Sequence, residues 1–262
     1  MTRALVSAVL AAALVAPVYA DVTLKQMSEG KGMGFSGKNP GTTMIKGNKM
    51  RTDAVIGDKT QSMVFDVDAQ KIYIFDSKKK EADVWDMNTF GHEIGKSVNA
   101  SSARTSFKPN GQTKQIGGHT AAGYDMSVTM QAAMAGSKDM DMTVTLQGTV
   151  WIVKGAPGSA DFARFYRAAA DKGFIFTNPQ AAKAQPGQAK AIAEMYRQVA
   201  DIGGIPYETN MDIKMSGTGP MAGLLARMGN ITMVSTVESV DTTGLADELF
   251  APPAGYKLNL KK

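Results

Sequence analysis

The chain has 262 residues, of which 44% are hydrophobic and 20% charged; this is ordinary globular usage and excludes a disordered or collagen-like chain. It contains no cysteine, which excludes disulfides, thiolate metal sites, cysteine nucleophiles and a lipid-modified cysteine at the mature N-terminus. The formal net charge is only +5 and acidic residues are interleaved with the lysines, so we do not expect nucleic-acid binding.

The first twenty residues have the parts of a secretory signal peptide. Arg3 supplies the positive charge, residues 4–15 form an almost continuous apolar run, and Pro17 precedes small residues around Ala20. The alternative is a retained membrane anchor, but the apolar run is short for a bilayer, which needs about 20 residues. We therefore predict cleavage after Ala20, export to the periplasm, and a mature chain (21–262) that forms one domain and does not span the membrane.

Period-two alternation of apolar and polar residues predicts strands in the first two-thirds of the mature chain, most clearly at 22–27 and 140–146. Turn sequences at 39–41, 68–70 and 78–80 separate the strands. The last of these is three successive lysines, and we interpret it as a solvated hairpin turn in preference to a phosphate-binding patch. The other predicted strands in this part are 44–51, 62–67, 71–75, 81–87, 113–116, 124–130 and 150–154.

The polar interval 88–111 predicts a long surface excursion between strands. After residue 158 the apolar spacing changes to three and four residues, which predicts two helices. The first helix is capped by Ser159 and ends at Gly173, and the second covers 188–201. The rest of the chain predicts a strand at 205–215, a short helix at 220–228, a strand at 231–240, a segment at 245–250 and a terminal segment at 256–258.

These elements predict an α+β fold in which one curved antiparallel sheet carries helices on its concave face. Such a sheet can fill that face with side chains or enclose a ligand cavity. The residues that we expect to line the lid and the cavity share an apolar side chain and a position on the helices or on the alternating strand. They are Phe162, Phe165, Tyr166, Ile192, Met195, Met142 and Val144.

No group of residues has the spacing of a catalytic or metal site. His92 and His119 each stand alone, without a second ligand at the spacing that zinc or iron requires. The glycine-rich segment 30–34 fits neither the P-loop nor the dinucleotide fingerprint. Asp66 and Asp68 are better explained as turn residues than as an acid pair. We therefore predict no catalytic residue, no metal site and no cofactor.

Methionine is the unusual feature of the composition, with 18 residues. Thioethers bind Cu(I), and they also fill irregular gaps in cores and adapt to variable apolar ligands. Plain packing is the favoured interpretation, and an adaptable ligand wall and a copper site remain as alternatives. The candidate copper ligands are Met126, Met130, Met134, Met140 and Met142.

Several short segments along the chain carry a family pattern. They are 46–53, 64–65, 73–75, 116–118 followed by Tyr124, 151–154, 204–206 and 249–256. Together they resemble an uncharacterised family of exported bacterial proteins related to the LolA/LolB-type outer-membrane lipoprotein carriers. The resemblance implies an unclosed β-barrel with a helical lid, a periplasmic location, and acyl-chain binding without catalysis. Ala121 stands where that family often has cysteine and Gly47 where the carriers have a functional arginine, so no carrier site residue is transferred.

We therefore predict a non-enzymatic periplasmic binding or carrier protein for an apolar ligand, either a lipid or an acylated protein or peptide. The alternative is a structural or interaction module of the cell envelope, with a filled core and a protein partner. Cu(I) binding by methionines is the third hypothesis. A continuous apolar cavity of about 300–1,000 Å³ between sheet and helices would favour the carrier.

Overall fold

A computed structural model describes residues 20–32, 35–56, 59–90, 103–133, 141–184, 186–218, 222–223, 225, 227 and 229–261. The strands are β1 Val22–Gly32, β2 Phe35–Lys46, β3 Lys49–Ile56, β4 Lys59–Asp66, β5 Lys71–Asp76, β6 Glu81–Asp86, β7 Ala103–Ile116, β8 His119–Ala133, β9 Asp141–Lys154, β10 Gly204–Gly217, β11 Ile231–Asp241 and β12 Lys257–Lys261. The helices with both ends described are α1 Ser159–Asp171, α2 Pro179–Ala184 and α3 Pro186–Ile202, with a 3-10 helix at Asp247–Phe250. Residues 87–90, where the sequence predicted the end of a strand and the start of a surface excursion, are helical, as are the described residues of 222–227. The predicted signal peptide and most of the predicted helix at 220–228 lie outside the described residues.

All twelve strands belong to one sheet, in the order β12-β6-β5-β4-β3-β2-β1-β11-β10-β9-β8-β7. The sheet is not closed, and β12 and β7 are its two edges. β12 runs parallel to β6, whereas the other strand pairs are antiparallel. This confirms the predicted unclosed antiparallel sheet except at β12, whose parallel pairing with β6 was not predicted.

One face of the sheet, which we call the helix face, carries α1 and α3. A row of apolar residues crosses this face as direct cross-strand partners on β1 to β6: Val22, Ile45, Met50, Phe65, Ile72 and Trp85. All six are buried in the same core as the aromatic side chains of α1. α1 and α3 contact each other, and α3 also contacts β7, β8 and β10. None of the helices in the described part of the chain is both long and apolar enough to cross a bilayer.

The start of α1 differs from the prediction. Its N-cap is Gly158, with φ 74°, and the side chain of Ser159 makes no capping hydrogen bond. Glycine is required here because a Cβ on residue 158 would lie 2.6 Å from Cγ2 of Val22, and the positive φ disfavours any other residue. The predicted end is confirmed, since Gly173 has φ 69° and its N–H donates to the carbonyl of Ala170 at 2.9 Å.

α3 also differs from the predicted pattern. The expected apolar stripe is Ile192, Met195, Tyr196 and Val199, and only the last of these is fully buried. The other fully buried residues of α3 are Ala189, Ala191 and Ala200. Small side chains let a helix approach the sheet closely, and the larger residues of the stripe are left partly exposed.

The opposite face of the sheet, which we call the outer face, is covered over β2 to β6 by the C-terminal segment 242–256, the strap. Phe250 of the strap is buried in a second core with Met44, Val64, Phe75 and Ala82. Lys46 Nζ donates to the carbonyl of Leu245 at 2.5 Å and pairs with Asp247 at 2.8 Å. Arg51 Nη1 donates to the carbonyl of Leu249 at 3.2 Å. The strap thereby carries the chain across the sheet to β12.

Two predicted irregular segments are strands. Residues 39–41, expected to form a turn, lie within β2, and the turn falls at 47–48, so the predicted strand 44–51 is the end of β2 and the start of β3. Pro40 pairs with β1 only, because pairing with β3 begins at Gly41, and a strand with one neighbour at that point tolerates proline.

Residues 103–111, expected in a surface excursion, belong to β7, the edge strand that pairs with β8. An edge strand is bonded on one side and solvated on the other, so a polar sequence is compatible with it.

Candidate functional site

Three of the predicted cavity residues lie in a packed aromatic cluster beneath α1. Phe162, Phe165 and Tyr166 are 2%, 0% and 4% exposed. The ring of Tyr166 stacks on Tyr196 with a centroid distance of 4.6 Å and lies 4.8 Å from the ring of Phe176. These contacts fill the space between α1, α3 and the sheet, and the predicted contact of these residues with a ligand stays a prediction.

The phenol of Tyr166 is part of this packing. Its hydroxyl donates to Sδ of Met50 at 3.4 Å. Burial raises the pKa of Tyr166 well above its ordinary value, and the neighbouring Tyr196 acts in the same direction. The phenol therefore stays neutral and serves as a buried hydrogen-bond donor in the core.

The other predicted cavity residues lie nearer the surface. Ile192 and Met195 on α3 and Val144 on β9 are half-buried. Val144 packs against a small core that contains Leu146 of the same strand. The backbone of Met142 belongs to β9, and its side chain lies outside the described part of the structure.

A group of apolar residues that the sequence did not single out continues this surface across β10 and β11. We call Met211, Ile213, Ile231 and Met233 the apolar strip. Met211 pairs directly with Met233, and Ile213 with Ile231. The strip belongs to the helix face because Met211 and Ile213 pack against the core that includes Ala191 of α3. Met233 is nevertheless 42% exposed, so the helices cover the strip only in part.

Next to the apolar strip, several described residues on the helix face of β1, β2 and β11 are small. Gly30 on β1 lies opposite Met233 and also opposite Gly37 on β2. A Cβ at either glycine would meet no described atom within 4 Å. Ser28 and Ser235 follow on the same face, with a hydroxyl–hydroxyl hydrogen bond of 3.2 Å. The apolar strip is therefore bordered by four small residues, Ser28, Gly30, Gly37 and Ser235, which we call the small-residue border. Glycine within a strand often marks close approach of a ligand or another backbone.

A groove of about 370 Å³ lies on the outer face instead of between sheet and helices. It is lined by Met27, Glu29, Lys38, Val234, Thr236 and Glu238. Lys38 Nζ lies 2.7 Å from Oε1 of Glu29, and this hydrogen bond raises the pKa of Lys38. Because the groove is on the opposite face from α1 and α3, it is not the cavity predicted from the sequence.

The described residues contain no group of three or more His, Asp or Glu side chains that could hold a metal ion. Met126 and Met130 are buried on the helix face of β8. They are four residues apart on one strand, which is about 13 Å, too far for one copper ion to bind both. The side chains of the other three candidate copper ligands, and His92, lie outside the described residues. His119 begins β8, with its ring 5.4 Å from that of Tyr207.

The period-two pattern of 211, 213 and 215 and the apolar residues at 231 and 233 were visible in the sequence. Their exposure to solvent could not be predicted from the sequence, because the same alternation is found in strands that other elements cover and in strands that face solvent. The sequence therefore placed these residues on strands without indicating a surface.

The chain matches no known protein-family model and no curated protein sequence. Among solved structures it is similar to PNGF-II, with 12% identity, a TM-score of 0.37, and coverage of 92% of this chain and 31% of that one. It is also similar to a domain from Vibrio parahaemolyticus proposed to be an outer membrane lipoprotein-sorting protein, with 8% identity, a TM-score of 0.33, and coverage of 88% and 89%. The chain thus spans about a third of the length of PNGF-II.

Proposed function

We propose that this is an exported, non-enzymatic protein that binds a linear apolar ligand, such as the acyl chain of a lipid or of an acylated protein, on the helix face. The observation that carries this proposal is the partly exposed apolar strip next to the small-residue border of glycine and serine. In this proposal the helix face is the concave side of the sheet, and α3 forms one wall of the site.

Methionine suits such a site because its unbranched thioether can adapt to chains of different length. Each buried methylene contributes about 0.8 kcal/mol, so about ten methylene groups would supply about 8 kcal/mol. If the entropic cost of ordering the acyl chain is left out, about 8 kcal/mol corresponds to a dissociation constant of about 1 µM. Burial of that many methylene groups against a surface therefore gives useful affinity without a deep cavity.

The first test is organic extraction of the purified protein followed by mass spectrometry, with a fluorescent fatty acid as a second, displaceable probe. We expect Met233→Glu to weaken probe binding by at least about tenfold, because burying a methionine side chain contributes about 1.5–3 kcal/mol.

The matched control is Leu258→Glu, which replaces a leucine that is 52% exposed on the outer face and should leave probe affinity unchanged. An equal loss in both variants, or neither co-purifying lipid nor displaceable probe, would contradict the proposal.

A second candidate is an interaction module of the cell envelope. It is favoured by the aromatic cluster around Tyr166, which fills the region where a lidded cavity was expected. Crosslinking in cells tests it, with a stable envelope protein partner expected. If the protein crosslinks to no partner but carries lipid, the result favours the first function, which is binding of an apolar ligand.

A further inference from the structure

The last strand of the sheet exposes two leucines. Leu258 is 52% exposed and Leu260 is 81% exposed. The only other large hydrophobic side chain that is exposed among the described residues is Met233, on the opposite face. Two of three such side chains therefore lie on one five-residue edge strand, β12.

The alternation of β12 separates its polar and apolar sides. Asn259 donates to Glu81 at 3.1 Å, and Lys261 Nζ lies 3.1 Å from Asp83. These polar contacts hold one side of the strand to β6. Leu258 and Leu260 point to the other side, opposite Ala82 and Val84, and extend the apolar outer face beyond the strap.

A basic turn lies next to this apolar edge. Lys78, Lys79 and Lys80 connect β5 and β6 and are exposed. The backbone N–H of Lys257, at the start of β12, donates to the carbonyl of Lys80 at 2.9 Å, which fixes the turn beside the strand. Oδ1 of Asp76 accepts the N–H groups of Lys78 and Lys79, at 3.1 and 3.0 Å, so the turn itself is ordered.

The charges of this turn are not fully neutralised by the protein. Lys79 Nζ lies 3.6 Å from Asp76, whereas Lys78 and Lys80 form no ion pair with any described residue. We call Lys78, Lys80, Leu258 and Leu260 the basic edge. It combines lysine side chains, which attract an anionic surface, with exposed leucine side chains, whose removal from water lowers the free energy.

We propose that the basic edge docks the protein on an anionic phospholipid surface. One weak membrane-binding element alone gives only marginal binding to a bilayer. Apolar side chains that insert into the bilayer together with basic residues that bind its anionic headgroups give stable association. Self-pairing of β12 is disfavoured because an antiparallel copy would place Lys257 opposite Lys261, and lysines on an edge strand oppose strand addition. The basic edge is on the opposite side of the sheet from the apolar strip, so this inference does not depend on the proposed ligand site.

The test is flotation of the protein with vesicles of phosphatidylcholine alone and with 30% phosphatidylglycerol, after intact mass has shown that the N-terminal apolar segment is absent. We expect binding to the anionic vesicles, weaker in high salt because salt screens the attraction. Each lysine near the surface contributes a factor of about five, so Lys78→Gln with Lys80→Gln should weaken binding about 25-fold. Leu258→Ser with Leu260→Ser should weaken it at least about tenfold.

The matched control for charge is Lys172→Gln with Lys190→Gln, two exposed lysines, one directly after α1 and one on α3, which should leave binding unchanged. Leu260→Trp provides a direct measurement, since its emission should shift to the blue and be quenched by brominated lipid.

Absence of binding to anionic vesicles, an equal effect of the control pair, or unchanged emission from Leu260→Trp would each overturn the proposal. So would a dimer that the leucine variant disrupts without any vesicle binding. Fatty-acid probe titration of the same variants should show unchanged affinity, which keeps this outcome separate from that of the proposed ligand site.

Discussion

Replacing Phe165 by alanine distinguishes a filled core from a lidded cavity. Phe165 is 0% exposed, and its ring lies 5.2 Å from that of Tyr166 and 6.3 Å from that of Phe176. Truncating a phenylalanine packed in this way removes its burial energy and leaves a void, at a cost of about 3–5 kcal/mol. For a domain of about 150–250 residues each kcal/mol lowers Tm by about 2–4 °C, so we expect a fall of about 6–20 °C.

The assay is thermal unfolding followed by circular dichroism, with urea unfolding to check that the midpoint falls without a change of slope. Ile192→Ala is the control, because this half-buried side chain should cost clearly less. The fatty-acid affinity of Phe165→Ala should equal that of the parent at a temperature where both are folded. A Tm within about 3 °C of the parent together with weaker probe binding would refute this reasoning and return Phe165 to the ligand site.

Three further outcomes are expected from the same structure. Burial raises the pKa of Tyr166 and of Tyr196. The stability that their neutral phenols contribute is therefore present below pH ~10 and is lost as the pH rises through the raised pKa values. Absorbance at 295 nm should show these phenols ionising only when the protein unfolds. Gly158→Ala should lower the free energy of unfolding by about 2–4 kcal/mol in a denaturant titration, because the new Cβ meets a side-chain carbon at 2.6 Å in a left-handed backbone. Protein recovered from the periplasmic extract of an expressing bacterium should begin at Asp21 by intact mass. A retained N-terminal segment would contradict the predicted cleavage, and absence of the protein from this extract would contradict the predicted export.

The local pattern of the sequence predicted much of the sheet. The hairpin turns at 68–70 and 78–80 are confirmed by the pairing of β4 with β5 and of β5 with β6. The helix end at Gly173 is also as expected. The strand at 103–111 was missed because its polarity is typical of a loop, and only the backbone pairing with β8 makes it a strand.

The role of the predicted lid and cavity residues stays a prediction. Aromatic spacing correctly placed Phe162 and Phe165 on the apolar side of α1, but spacing does not distinguish a side chain that fills a core from one that borders a cavity. The apolar strip was not predicted, because its residues are distant in the sequence. Met211 and Met233 are 22 residues apart in the sequence, and they form one surface only because β10 and β11 pair in that register.

What the sequence determined by itself is local: the period of each segment, the glycine and lysine turns, and a composition without cysteine. The tertiary structure alone decided which apolar residues are covered, because cover is supplied by elements distant in the chain. α1 and α3 fill part of the helix face and leave Met233 exposed, and the strap protects the outer face as far as Phe250 and leaves Leu260 in water. Alternation gives each residue a side of its strand, and long-range packing decides whether that side meets protein, ligand or solvent.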